Sequence, residues 1–227
     1  MRTIAIGDIH GCVKALQGLI DIIEPTALDR LVFLGDYVDR GPDSKGVIDL
    51  LLSLESKCNT VFLLGNHEIM FRGVLGGLSP ELWLQIGGKQ TVTSYGGLLT
   101  NVPALHVDFL HRLHPFFEME HHLFVHANYS AHLPMAEQPE QALFWDHLTD
   151  YLPAPHYSGK HVFLGHTPQS NGEVAIYRHL TCLDTGCFGG NWLTAMDVNS
   201  REYWQVSREG HLRQNWRWLK SWWPSRW

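Results

Sequence analysis

The chain has 227 residues, 44% hydrophobic and only 18% charged, with a formal net charge of −6. That length suits one domain with a sizeable core, and the acidic balance argues against a protein whose work is to coat nucleic acid. Cys12, Cys58, Cys182 and Cys187 include no Cys-x-x-Cys pair, so neither a disulfide framework nor a thiolate zinc site is expected. No apolar run approaches the roughly 20 residues that span a bilayer. The opening MRTIAIGDIHG reaches Asp8 and His10 too early for a cleavable apolar signal, and a soluble cytoplasmic protein is expected.

In chain order, the β-branched run Thr3–Ile6 predicts a strand that ends in Gly7-Asp8. Val13 to Ile23 follows as a helix, with Leu16, Leu19, Ile20 and Ile23 at helical spacing. A second strand, Leu31–Leu34, ends in Gly35-Asp36. A second helix runs from Ser44 to Leu54, and a third strand, Thr60–Leu64, ends in Gly65-Asn66. This β-α-β-α-β order is that of a parallel sheet covered by helices. From about Met70 to Phe117 the pattern loosens into Gly-rich, helix-like pieces. Strands return at 123–125, 161–164, 174–177, 180–183, 193–198 and 202–206, without internal repeats.

The chemistry-bearing residues sit directly after apolar strands. The loops read Gly7-Asp8-Ile9-His10-Gly11, Gly35-Asp36-Tyr37-Val38-Asp39-Arg40-Gly41 and Gly65-Asn66-His67-Glu68. Two later strands each end in a histidine, His126 and His166. Carboxyl ends of parallel strands converge on one crevice, so five strand ends deliver Asp, His, Asp, Asn, His and His to one place. Asp and neutral His suit borderline divalent metals such as manganese, iron or zinc. A set this large can hold two ions when one carboxylate bridges them.

GDIHG, GDYVDRGP and GNHE, followed by VHA at 125–127, GHTP at 165–168 and DTG at 184–186, agree with a known family in order and spacing. The chain resembles the calcineurin-like metallophosphoesterases of the phosphoprotein phosphatase superfamily, in particular its short bacterial and phage serine/threonine phosphatases. The resemblance implies an α/β fold, a four-layer αββα sandwich of two mixed sheets, with residues 1–206 as the catalytic domain. It implies two divalent or mixed-valence ions, manganese first and iron or zinc as alternatives. Asp8 and His10 would hold the first, Asp36 would bridge, and Asn66, His126 and His166 would complete the second. A hydroxide between the ions would attack phosphorus, His67 would protonate the leaving oxygen, Asp39 would orient His67, and Arg40 and Asn66 would bind the phosphoryl group. Phosphoserine and phosphothreonine in proteins are then the leading substrates. The alternative is symmetrical hydrolysis of dinucleoside polyphosphates, whose enzymes often carry Asn where this chain has Asp39.

Three departures from the family pattern stand out, one of them Asn128-Tyr129 after Ala127 where relatives have Gly, which is expected to set bulkier side chains beside the site. His147 occupies the place of an Arg that binds phosphate in bacterial relatives, and is taken as a substrate-binding candidate. Residues 207–227 form a basic, Trp-rich tail. It is expected to pack on the domain, with docking on an anionic membrane surface or a protein as the other reading.

Overall fold

The computed structural model describes residues 1–213; residues 214–227, with five of the tail's tryptophans, lie outside the described residues. The expected packing or docking of that tail therefore also lies outside them. The chain begins β1 (Thr3–Ile6), α1 (Val13–Ile23), β2 (Arg30–Phe33), α2 (Ser44–Leu54), β3 (Asn59–Phe62) and α3 (Asn66–Leu75). A helical excursion follows: α4 (Glu81–Trp83), a π-helical turn at Leu84–Gly88, α5 (Lys89–Ser94) and α6 (Ala104–His111). The remainder is β4 (Phe116–Glu118), β5 (His122–Val125), α7 (Glu140–Phe144), β6 (His161–Leu164), β7 (Ala175–Ile176), β8 (Leu180–Cys182), β9 (Trp192–Asp197) and β10 (Tyr203–Ser207).

The strands form two five-stranded sheets, ordered β10-β9-β1-β2-β3 and β4-β5-β6-β8-β7. In the first, β1, β2 and β3 are parallel, with Ile4 opposite Leu31 and Leu31 opposite Thr60, while β9 runs antiparallel to β1 and β10 antiparallel to β9. In the second, β5, β6 and β8 are parallel and β4 and β7 are antiparallel edges. Both sheets are therefore mixed, as expected.

Alternation along each strand sorts side chains between layers. Ile4, Ile6, Leu31 and Phe33 face the helices, whereas Ala5, Val32, Leu34 and Leu63 face the second sheet. From that sheet Phe124 and Phe163 point back, stacked at 5.5 Å, while Leu123, Val125, Val162 and Leu164 face outward. Helix α1 covers the first sheet through Ala15, Leu16, Leu19, Ile20 and Ile23, one stripe of a 3.6-residue period. Asp43 starts α2 by accepting the Gly46 N–H at 2.8 Å. The outer face of the second sheet carries a thinner layer, α7 with Tyr129, Met135 and Leu148.

The boundary expected at residue 206 falls inside β10. Residues 207–213 turn back on that strand, Leu212 bridging Val206, and Gly210 packs on α1, where a Cβ on Gly18 would strike the Gly210 carbonyl and one on Gly210 the Lys14 carbonyl. No helix among the described residues is long and apolar enough to cross a membrane.

Candidate metal centre

The convergence expected of one parallel unit is assembled from two sheets. Asp8, Asp36 and Asn66 follow β1, β2 and β3, whereas His126 and His166 follow β5 and β6. A sixth strand end, β8, adds Asp184, which the DTG motif marked but which had no role in the sequence reading. The loops are tight because glycine permits it: a Cβ on Gly65 would strike the Asp36 carboxylate, and one on Gly165 the Asp8 carboxylate. His10, Asp36, Asp39, Arg40 and His166 all take positive φ, between 46° and 70°. Non-glycine residues hold that conformation only where the surroundings impose it, and such strain collects at functional sites.

Asp36 is the hub. His10 Nε2 lies 3.4 Å from its Oδ2, His126 Nε2 3.4 Å from its Oδ1, and His67 Nε2 4.0 Å from its Oδ2. Two triplets of ligand atoms share it, His10–Asp36–His67 and Asp36–His126–His166, each with its atoms within 4.8 Å of one another. Asn66 Oδ1 lies 3.1 Å from His126 Nε2 and so borders the second triplet. Among the described residues neither triplet includes Asp8, whose two oxygens accept the His166 N–H at 3.0 and 3.2 Å.

Backbone carbonyls set the tautomers. His10 Nδ1 donates to Val38 O at 2.9 Å and His126 Nδ1 to Leu34 O at 2.8 Å, which leaves each Nε2 lone pair facing Asp36. His166 donates through Nε2 to Trp145 O at 3.2 Å and keeps Nδ1 free. Burial lowers the pKa of all three, His166 to about 3, so they stand neutral, the form that binds metal.

The carboxylates tell the complementary story. Burial opposes the charge on Asp36, but the surrounding histidines, His126 first, outweigh it and hold the group below the usual carboxylate range. Burial pushes Asp184 up to about 7; burial and then Asp184 and Asp36 raise Asp8. Three buried acids thus crowd one space, and Asp184 Oδ2 and His67 Nε2 have no hydrogen-bond partner among the described residues. Buried charge without compensation is costly, so this set fits divalent cations.

Within the first triplet, His67 Nδ1 donates to Asp39 Oδ2 at 2.7 Å, which turns Nε2 toward Asp36. Against burial, Asp36 and Asp39 raise the His67 pKa. Arg40 Nη1 lies 3.2 Å from His10 Nε2, with its guanidinium 4.6 Å above the Phe188 ring. His147 stacks on His166 at 4.3 Å, at the rim. The Asn-Tyr pair after Ala127 does not crowd the centre: Asn128 donates to Tyr151 O and Tyr129 to Ala154 O, holding the following loop.

Several residues escaped the sequence reading. Buried Glu68 accepts the N–H groups of Gly65, Asp36, Tyr37 and Val38 and so pins the Asp36 loop to α3. Trp83 and Thr91 both donate to Asp39. The E of GNHE was a signal for the first; nothing in spacing marked the other two.

Residues 1–186 match the family model for calcineurin-like phosphoesterases, and the chain belongs to that family. It is a metallophosphoesterase. Over 82 residues it is 44% identical to the symmetrical bis(5′-nucleosyl)-tetraphosphatase of Cellvibrio japonicus, a match covering 36% of this chain and 30% of that protein. Against the asymmetrical bis(5′-nucleosyl)-tetraphosphatase PrpE of Oceanobacillus iheyensis it is 26% identical, covering 91% of this chain and 92% of the relative. Among solved structures it resembles one described as a putative diadenosine tetraphosphatase, with a TM-score of 0.69 and 23% identity over 90% of this chain and 92% of the other.

Proposed function

We propose that the protein hydrolyses a phosphoanhydride bond of dinucleoside polyphosphates, with diadenosine tetraphosphate as the representative substrate. The observation that carries this reading is the end-to-end match, over 91% of the chain, to a relative named for that activity. The ranking drawn from sequence, which put phosphoserine and phosphothreonine first because of Asp39, is reversed. Asp39 is compatible with either substrate, since its partner is His67 rather than the substrate.

Two divalent ions, manganese first among the manganese, iron and zinc that Asp and His donors suit, would supply Lewis-acid charge and a nucleophilic water. His10 and Asp36, with Asp8 beside them, would hold one; Asn66, His126 and His166, sharing Asp36, the other. Arg40 forks onto the phosphoryl oxygens, and His147 borders the chain of phosphates from the rim. His67 Nε2 delivers a proton to the oxygen that leaves as the P–O bond breaks. A phosphate is a better leaving group than a serine alkoxide, so the anhydride asks less of His67 than a phosphoprotein would.

The test is a substrate panel with manganese: diadenosine tetraphosphate, p-nitrophenyl phosphate and a phosphoserine peptide. The dinucleotide is expected to have the highest kcat/KM, and chromatography of its products distinguishes ADP alone from AMP with ATP. A phosphopeptide hydrolysed faster than the dinucleotide would overturn the assignment and restore the protein-phosphatase reading.

A further inference from the structure

Three donors converge on Asp39, and two of them come from the helical excursion. Trp83 Nε1 donates to Oδ2 at 2.7 Å and Thr91 Oγ1 to Oδ1 at 2.6 Å, beside the 2.7 Å bond from His67 Nδ1. Thr91 also accepts the Asp39 N–H at 2.9 Å. Trp83 and Thr91 are buried, and the Trp83 ring stacks on Phe71 at 5.2 Å with the planes 9° apart. A Cβ on Gly88 would run into that ring. Between them, Gly87 O accepts the Arg40 N–H at 3.1 Å, and a Cβ on Gly87 would stand 2.7 Å from Arg40 N. The excursion therefore grips Asp39 and Arg40 together, the two neighbours held at positive φ.

We propose that Trp83 and Thr91 are positioning residues for His67, pinning both oxygens of Asp39 so that the imidazole presents Nε2 to the leaving oxygen. A carboxylate held by one imidazole alone can rotate about its Cβ–Cγ bond and carry the ring with it. Held at each oxygen by a separate side chain of a packed segment, it cannot. The inference rests on the reading of His67 as proton donor.

Trp83→Phe keeps a ring against Phe71 and removes the N–H; Thr91→Val removes the hydroxyl, and Thr91→Ser restores it. With the manganese-loaded full chain, kcat on phenyl phosphate, a poor leaving group, is expected to fall about tenfold in Trp83→Phe and Thr91→Val. The fall on p-nitrophenyl phosphate should be several-fold smaller, with KM and metal content at the wild-type level. Thr91→Ser should recover most of the loss. In metal-free protein, the His67 Nδ1–H proton resonance should shift in Trp83→Phe. Equal fractional losses on the two esters, or wild-type rates with an unmoved resonance, would overturn the inference. His67→Asn measured alongside separates the two readings. Discrimination there but not in Trp83→Phe and Thr91→Val removes the positioning role alone; no discrimination in His67→Asn removes the proton-donor reading, and this inference with it.

Discussion

At Asp36 one buried carboxylate faces the Nε2 atoms of His10, His67 and His126 and accepts the His67 backbone N–H at 3.2 Å. Its two oxygens divide between the two triplets, so its charge serves both sides. Asp36→Asn preserves the shape and removes that charge. Activity is expected to fall by about a hundredfold or more, the scale of losing one electrostatic contact to a transition state. Metal content, measured by mass spectrometry after dialysis, should fall below wild type as well. Full metal content in that variant would place the shared ligand elsewhere.

Among the elements, the start of the first sheet depends on a local ion pair. Arg2 donates to Asp29 at 2.7 and 3.2 Å and reaches Ile23 O at the end of α1, tying β1, α1 and β2 together. Arg2, with help from the Thr26 N–H and hydroxyl, holds the Asp29 carboxyl well below the usual range. A depressed carboxyl stabilises the fold at any pH above its unfolded value, about 3.9, and that contribution disappears as pH falls through the folded value. Asp29→Asn is therefore expected to lower Tm at pH 7 by on the order of 2–4 °C. The gap from wild type should narrow below about pH 4. A gap constant from pH 7 to pH 3 would show that the pair contributes through packing rather than charge.

For the molecule as a whole, the site exists only because two sheets face each other. Phe163 is wholly buried at that interface, stacked on Phe124 with the rings 17° apart, and Arg201 lies 4.8 Å above it. Phe163→Ala should cost about 3–5 kcal/mol in urea unfolding, the usual cost of removing a buried aromatic ring. Manganese affinity should weaken too, although Phe163 is not a candidate ligand, because His126 and His166 ride on the sheet that loses its seat. Unchanged manganese affinity in a destabilised variant would mean that the loops, not the sheets, fix the ligand spacing.

The sequence by itself determined many of the elements and singled out six candidate ligands. β1, α1 and α2 lie where periodicity put them, since each buries a regular stripe or run that only one period explains. Asp8, His10, Asp36, Asn66, His126 and His166 were legible because each follows an apolar strand beside a glycine or alanine. Helix α6 and strand β4 were missed: α6 buries only His106, Phe109 and Leu110 of its eight residues, and β4 is a three-residue edge with no fully buried side chain. Only the tertiary structure decided how the six strand ends divide between the two sheets, because alternation along a strand tells which face is buried and not which sheet buries it. It alone brought Trp83 and Thr91 to Asp39, 44 and 52 residues distant in the chain. A hydrogen bond across that separation leaves no periodic trace, since its partners need only the packing of Phe71, Trp83 and the glycines between them to meet.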